Sequence, residues 1–138
     1  MKSVYIFDAC ALIAFMNNEE GSDEVERILE EAIEGNIEIF MNKINIFEIY
    51  YGVYREEGQD IADEAYQRIL KQPITIINNL KDEVFRVAGR IKAKYKLSLA
   101  DSIVLGEAVA KNAVVLTSDH HEFDIIEKNE NITFHWIR

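Results

Sequence analysis

The chain has 138 residues, 49% of them hydrophobic, and carries 25 acidic against 15 basic residues for a formal net charge of −10. That length and apolar content suit one domain with one continuous core, and the negative balance excludes a protein that coats nucleic acid through a broadly basic surface. It does not exclude an enzyme acting on nucleic acid, because carboxylates that hold divalent cations make a locally positive site that the formal count records as negative.

One proline, six glycines and no Ser- or Gly-rich stretch leave no candidate linker, and no repeat recurs at a fixed period, so residues 1–138 are expected to form one domain. The lone Cys10 has no internal disulfide partner, which fits a reducing compartment and the role of a small buried hydrophobe. Lys2 and the mostly apolar stretch 4–16 imitate a secretory leader. Asp8 interrupts that stretch, Asn17-Asn18-Glu19-Glu20 offers no small-residue cleavage site, and the run falls short of the roughly 20 apolar residues a membrane span needs. A cytoplasmic protein without a membrane partner is expected.

In chain order, Val4-Tyr5-Ile6-Phe7 reads as a short buried strand and residues 9–16 as a short helix, so a strand-to-helix turn falls at Asp8. Ser22 is placed to cap a helix carrying Val25, Ile28, Leu29, Ala32 and Ile33, which Gly35 stops. Ile37, Ile39, Phe40 and Met41 give a second strand. Residues 42–57 form an aromatic-rich helix ended by Gly58, and a further helix covers about 60–71 before Pro73. Ile74, Ile76 and Ile77 predict a third strand, and Asn79 is placed to cap a helix bearing Leu80, Val84, Val87, Ala88 and Ile91. Ser98 opens another helix over about 99–112. Residues 113–116 are a fourth buried strand, the polar segment 117–124 a loop and residues 132–136 an edge strand. This alternation predicts a parallel sheet of four or five strands covered by helices, with ligands bound beyond the carboxyl ends of the strands.

Two acids fall at those carboxyl ends, Asp8 after the first strand and Asp119 after the fourth. Asp8 serves equally as a helix N-cap or as a catalytic carboxylate, and Asp119 alone reads as a solvated loop residue or a ligand. Glu48 interrupts the segment Ile44-Asn45-Ile46-Phe47-Glu48-Ile49-Tyr50-Tyr51, where a buried carboxylate needs a partner, a proton or a metal. Its alternative is an exposed helix face shared with Asn45, Gly52 and Arg55. Asp101 closes Ser98-Leu99-Ala100-Asp101, the pattern of a capping box, and a carboxylate in a first helical turn is also kept ionised for metal binding.

Four segments together resemble the PIN-domain family: Ile6-Phe7-Asp8-Ala9-Cys10-Ala11-Leu12-Ile13, Asn45-Ile46-Phe47-Glu48-Ile49-Tyr50-Tyr51-Gly52, Leu97-Ser98-Leu99-Ala100-Asp101-Ser102, and Val115-Leu116-Thr117-Ser118-Asp119-His120-His121-Glu122-Phe123. Each is weak alone. All four, in order and spanning essentially the whole chain, are specific. The resemblance is to the VapC-like toxin ribonucleases within that family. It implies a three-layer α/β/α sandwich in which Asp8, Glu48, Asp101 and Asp119 gather at one end of the sheet to bind Mg2+ or Mn2+. Thr117 supports them by hydrogen bonding, and Asp124 is a candidate fifth acid at a position where family members vary. It also implies an RNA substrate, hydrolysed by a metal-activated water to 5′-phosphate and 3′-hydroxyl products, a cognate antitoxin and a homodimer.

Hard divalent cations choose oxygen ligands, which suits these four acids. His120 and His121 are either further ligands, favouring manganese or zinc, or locally bonded residues. Arg86, Arg90 and Lys94 recur every fourth residue on one helical face, placed either to contact phosphates or simply to be solvated. Tyr50, Tyr51 and Tyr54 are packing or base-stacking residues. A haloacid-dehalogenase-like phosphatase would need a second Asp where Cys10 stands, and a receiver domain an acidic pair at the first strand. A housekeeping RNA-processing nuclease and an inactive PIN-fold interaction module are the remaining alternatives.

Overall fold

The apolar run at the N-terminus becomes β1 (Ser3–Phe7), the central strand of a five-stranded, wholly parallel sheet ordered β3-β2-β1-β4-β5. The structure, a computed structural model, describes residues 2–138; Met1, the first residue of the expected domain, lies outside them. The other strands are β2 (Ile37–Asn42), β3 (Thr75–Ile77), β4 (Val114–Thr117) and β5 (Thr133–Trp136). The helices are α1 (Ala9–Met16), α2 (Ser22–Ile33), α3 (Lys43–Glu57), α4 (Gln59–Leu70), α5 (Asp82–Lys94), α6 (Leu99–Lys111) and α7 (His120–Asn129).

Successive strand residues point to opposite faces, and the core divides accordingly. Phe7, Met41 and Leu116 pack one face of the sheet with residues of α1 to α4, whereas Ile6 and Val115 pack the other with α5, α6 and α7. The result is the three-layer α/β/α arrangement. The chain builds β1, β2 and β3 outward and then returns to lay β4 against the other side of β1. That reversal opens a crevice beyond the carboxyl ends of β1 and β4, where α/β sheets bind their ligands.

Three local expectations give way to a different physical solution. Gly21, not Ser22, caps α2: its φ is +96°, and a Cβ there would stand 2.7 Å from the carbonyl oxygen of Ile137, so the close approach of the C-terminal segment demands glycine. Ser22 is instead the first, buried residue of the helix. The fifth helix starts at Asp82 rather than after Asn79, leaving Leu80 exposed outside it. Asp82 and Glu83 then occupy its first turn, where the helix dipole favours acids. The polar segment 117–124 is not a loop. Thr117 ends β4, Asp119 caps α7, and the buried Phe123 and Ile126 provide the three-residue spacing that seats this helix on the core.

Candidate active site

Strand register puts the first acid beside its partner. Phe7 pairs with Leu116 across β1 and β4, and the Asp8 N–H continues the ladder by donating to the Leu116 carbonyl at 3.4 Å. Asp8, 1% exposed, therefore lies next to the fully buried Thr117, whose hydroxyl donates to Asp8 Oδ2. The other oxygen, Oδ1, accepts the Ala11 N–H at 2.8 Å and caps α1. Thr117 Oγ1 also accepts the Asp119 N–H at 2.9 Å, so one hydroxyl ties together the residues that follow β1 and β4. Asp119 itself caps α7 by accepting the Glu122 N–H at 3.2 Å. Capping and site formation coexist at both aspartates.

Asp101 arrives on α6, where the Ser98 hydroxyl accepts its N–H at 3.1 Å and makes the serine half of the expected capping box. Glu48 arrives on α3 and is half-buried rather than on an exposed face, since Asn45 one turn earlier is wholly inaccessible. All four acids line one cleft of about 670 Å³, together with Cys10, Tyr51, Gly52 and Arg55.

The electrostatics of the cleft follow from burial and mutual repulsion. Burial pushes the Asp8 carboxyl up to about 7, with Asp101 and Asp119 raising it further against the opposing bonds from Thr117 and Ala11. Burial likewise raises Asp101 to about 7, with Ser98 opposing and Asp119 and Glu48 adding to the rise. Glu48 is shifted upward by burial and then by Asp119 and Glu122. Cys10 faces the cleft rather than the core alone, and burial beside Asp8 lifts its thiol to about 12, so it stays protonated.

Asp8, Glu48, Asp101 and Asp119 line the cleft with Glu56 and Glu57 against one arginine among the described residues, an excess of negative charge that a divalent cation relieves, and the acids' donors are all hard oxygens. Among the described residues no three Asp, Glu, His or Cys side chains form a ready-made ligand group. The acids line an open cleft, and oxygen donors of this kind suit a cation that keeps several waters and takes phosphate oxygens.

The structure leaves several other expected residues apart from this cleft. Asp124 pairs with His120 Nδ1 at 2.8 Å and does not line the cleft. His120 Nε2 bonds the Arg138 carbonyl oxygen at 2.9 Å while the ring stacks on Trp136 at 3.9 Å, which occupies both nitrogens. His121 is exposed. Arg86 pairs with Asp82 at 2.7 Å, and Arg90 and Lys94 both approach Glu130, at 3.1 and 3.6 Å. None of the three lines the cleft. Tyr50 serves α3–α4 packing, donating to Asp63 at 2.7 Å and meeting Tyr66 edge-on.

Sequence reasoning missed two polar ties. Asn45 Nδ2 donates to the Ala100 carbonyl at 3.1 Å, joining α3 to α6 between Glu48 and Asp101, while its buried Oδ1 has no partner among the described residues. Glu107, 1% exposed, accepts from Lys111 Nζ and Asn42 Nδ2, both at 2.9 Å, and pins α6 to the start of α3. An asparagine inside an otherwise apolar helical run was the available signal for the first; the second joins residues too distant in sequence to be paired.

A family model for the PIN domain matches residues 5–129. The fold is similar to that of DNA-bound VapBC from Salmonella typhimurium, with 16% identity, 100% of each chain covered and a TM-score of 0.75. It is also similar to VapBC2 from Rickettsia felis, bound to a DNA fragment from its promoter, with 17% identity, 96% of this chain and 97% of that one covered and a TM-score of 0.73. Mycobacterium tuberculosis VapC20, described as a sarcin-ricin-loop-cleaving toxin, aligns with 11% identity over 92% of this chain and 95% of that one, with a TM-score of 0.65. No curated protein matches the chain by sequence. The family model, the switch-point sheet and the four acids at its carboxyl edge agree, and the chain belongs to the PIN domain family.

Proposed function

We propose that this protein is a metal-dependent endoribonuclease that acts as the toxin of a type II toxin–antitoxin pair. The observation that carries the reading is the convergence of Asp8, Glu48, Asp101 and Asp119 on one cleft at the topological switch point. Asp8 has both oxygens held, by Ala11 and Thr117, so its carboxylate presents a fixed orientation to the cleft. Asp101 sits in the first turn of α6, where the helix dipole favours its ionised form against the burial that opposes it. Glu48 and Asp119 complete the ring of oxygen donors. Magnesium or manganese held by these residues supplies Lewis acidity, lowering the pKa of water and stabilising charge on the scissile phosphate. The protein's part is to orient the carboxylates, keep them from ordinary lysine or arginine pairing, and leave the cleft open to a phosphodiester.

The toxin assignment draws on the likeness to VapBC assemblies, and implies an antitoxin that covers the acidic cleft. Exposed Phe47, Leu80 and Leu99 border a second, apolar groove together with Ile44, a surface suited to a second copy of the chain. Incubation with single-stranded and structured RNA in Mg2+ or Mn2+ tests the activity. The expected result is cleavage to 5′-phosphate and 3′-hydroxyl ends that chelation abolishes; intact RNA under every metal condition would sink the reading. Rescue of growth by co-expressing the neighbouring reading frame separates a toxin from a housekeeping nuclease.

A further inference from the structure

Along α3, Tyr51 and Gly52 lie three and four residues after Glu48, Arg55 lies four and three residues after them, and all four line the acidic cleft. That spacing keeps them on one helical face, a stripe that runs from acid through aromatic and glycine to base. Arg55 is the one basic residue lining the cleft among the described residues. Its guanidinium lies 5.2 Å from the Tyr51 ring centroid, and it has no carboxylate within ion-pair distance among the described residues, although Glu56 and Glu57 also line the cleft. Arg86, Arg90 and Lys94 are by contrast engaged with acids.

Gly52 supplies an independent observation. Glycine inside a helix is unfavourable, and here neither backbone nor packing requires it: its φ is not positive, and an added Cβ would meet nothing within 4 Å. It leaves bare backbone on the cleft wall between Tyr51 and Arg55, which lets a ligand lie close.

We infer that Tyr51, Gly52 and Arg55 form a subsite for single-stranded RNA beside the cleavage site, in which Arg55 binds a phosphate next to the scissile one and Tyr51 stacks a base. This rests on the nuclease reading proposed above. Glu48 and Arg55 are separated by two helical turns, roughly 10 Å of rise, so the phosphate that Arg55 meets is a neighbour of the one that the acids address. In a chain of net charge −10 an unpaired arginine at this place offsets the repulsion that a polyanion meets on entering the cleft. Its delocalised fork suits phosphate, and base stacking on tyrosine is indifferent to sequence.

The test uses the full chain with its four acids intact, a fluorescein-labelled single-stranded oligoribonucleotide as probe, and Ca2+ in place of Mg2+ throughout, to occupy the carboxylates without supporting hydrolysis. Adding Arg55→Gln should weaken binding about 5- to 20-fold at low salt and flatten the dependence of log affinity on log salt by about 0.7, the value of one phosphate contact on a single strand. Tyr51→Leu should weaken binding by about tenfold without altering that slope. Gly52→Ala should raise the melting temperature by about 2–4 °C and still weaken binding, a pairing that a purely structural glycine would not show. Affinity and slope unchanged by Arg55→Gln overturn the subsite and leave the nuclease reading standing. A parent protein that binds no RNA overturns both. An equal loss of binding to poly-glutamate would mark Arg55 as a general anion contact and overturn the assignment to RNA.

Discussion

The side-chain amide of Asn45 donates to the carbonyl of Ala100 at 3.1 Å, across 55 residues of sequence. It is a buried strut between the two helices that deliver Glu48 and Asp101, one turn before the first acid and one residue before the second. Asn45→Ala removes it. We expect a loss of about 1–3 kcal/mol in stability and a fall in cleavage rate that persists far below the melting temperature. Thermal melting paired with single-turnover cleavage checks this; a stability loss with unchanged cleavage would confine Asn45 to the scaffold.

Thr117 gives a sharper case, because its hydroxyl donates to Asp8 and accepts from the Asp119 backbone. Thr117→Val keeps the shape and deletes both bonds, leaving a buried carboxylate short of a donor at a cost of about 1–3 kcal/mol. The Thr117 bond holds the Asp8 carboxyl down against burial, so removing it raises that group further. The acid limb of the pH–rate profile should therefore move to higher pH. A profile that keeps its acid limb in place would mean that Asp8 does not set it.

Metal-free stability has a predictable pH dependence. Asp8 and Asp101 titrate near 7 in the folded protein instead of near 3.8, so between about pH 4 and 7 the native state holds protons that the unfolded chain has released. Stability in EDTA should fall as pH rises through that window and stay low above it. His120, raised by its bond to Asp124, acts in the same direction, which makes the difference between variants the cleaner readout. Asp101→Asn should melt higher than the wild type at pH 8 and no higher at pH 4.

Divalent cation should reverse that penalty. A ligand that binds only the native state adds about 2.7 kcal/mol at a concentration 100 times its Kd, and binding requires ionised carboxylates. Mg2+ or Mn2+ should therefore raise the melting temperature of the wild type more at pH 8 than at pH 6, and should fail to do so for Asp8→Asn. Equal shifts in both proteins would place the cation elsewhere.

Much of this architecture is legible in the sequence, because it rests on local patterns. The short apolar runs Val4-Tyr5-Ile6-Phe7 and Val114-Val115-Leu116 mark the central strands, and the acids after them fall at the strand ends. The helix over 120–129 is hidden because His120, His121, Glu122 and Asp124 outweigh Phe123 and Ile126 in a window that short. The surroundings of Arg90, Lys94 and His120 are set by Glu130, Trp136 and Arg138, non-local partners that periodicity does not reveal. Arg55, a neighbour of Glu48 on one helix face in the sequence, lines the cleft while staying exposed, because the half-buried Glu48 carries that face to the cleft's edge.

The most direct measurement is RNA cleavage by Asp8→Asn and Asp101→Asn, each shown folded by its melting curve, beside the wild type in Mg2+ or Mn2+. The wild type should cleave and neither folded variant should. Cleavage that survives both substitutions would contradict the site assignment, since the chemistry would then lie outside the acidic cleft.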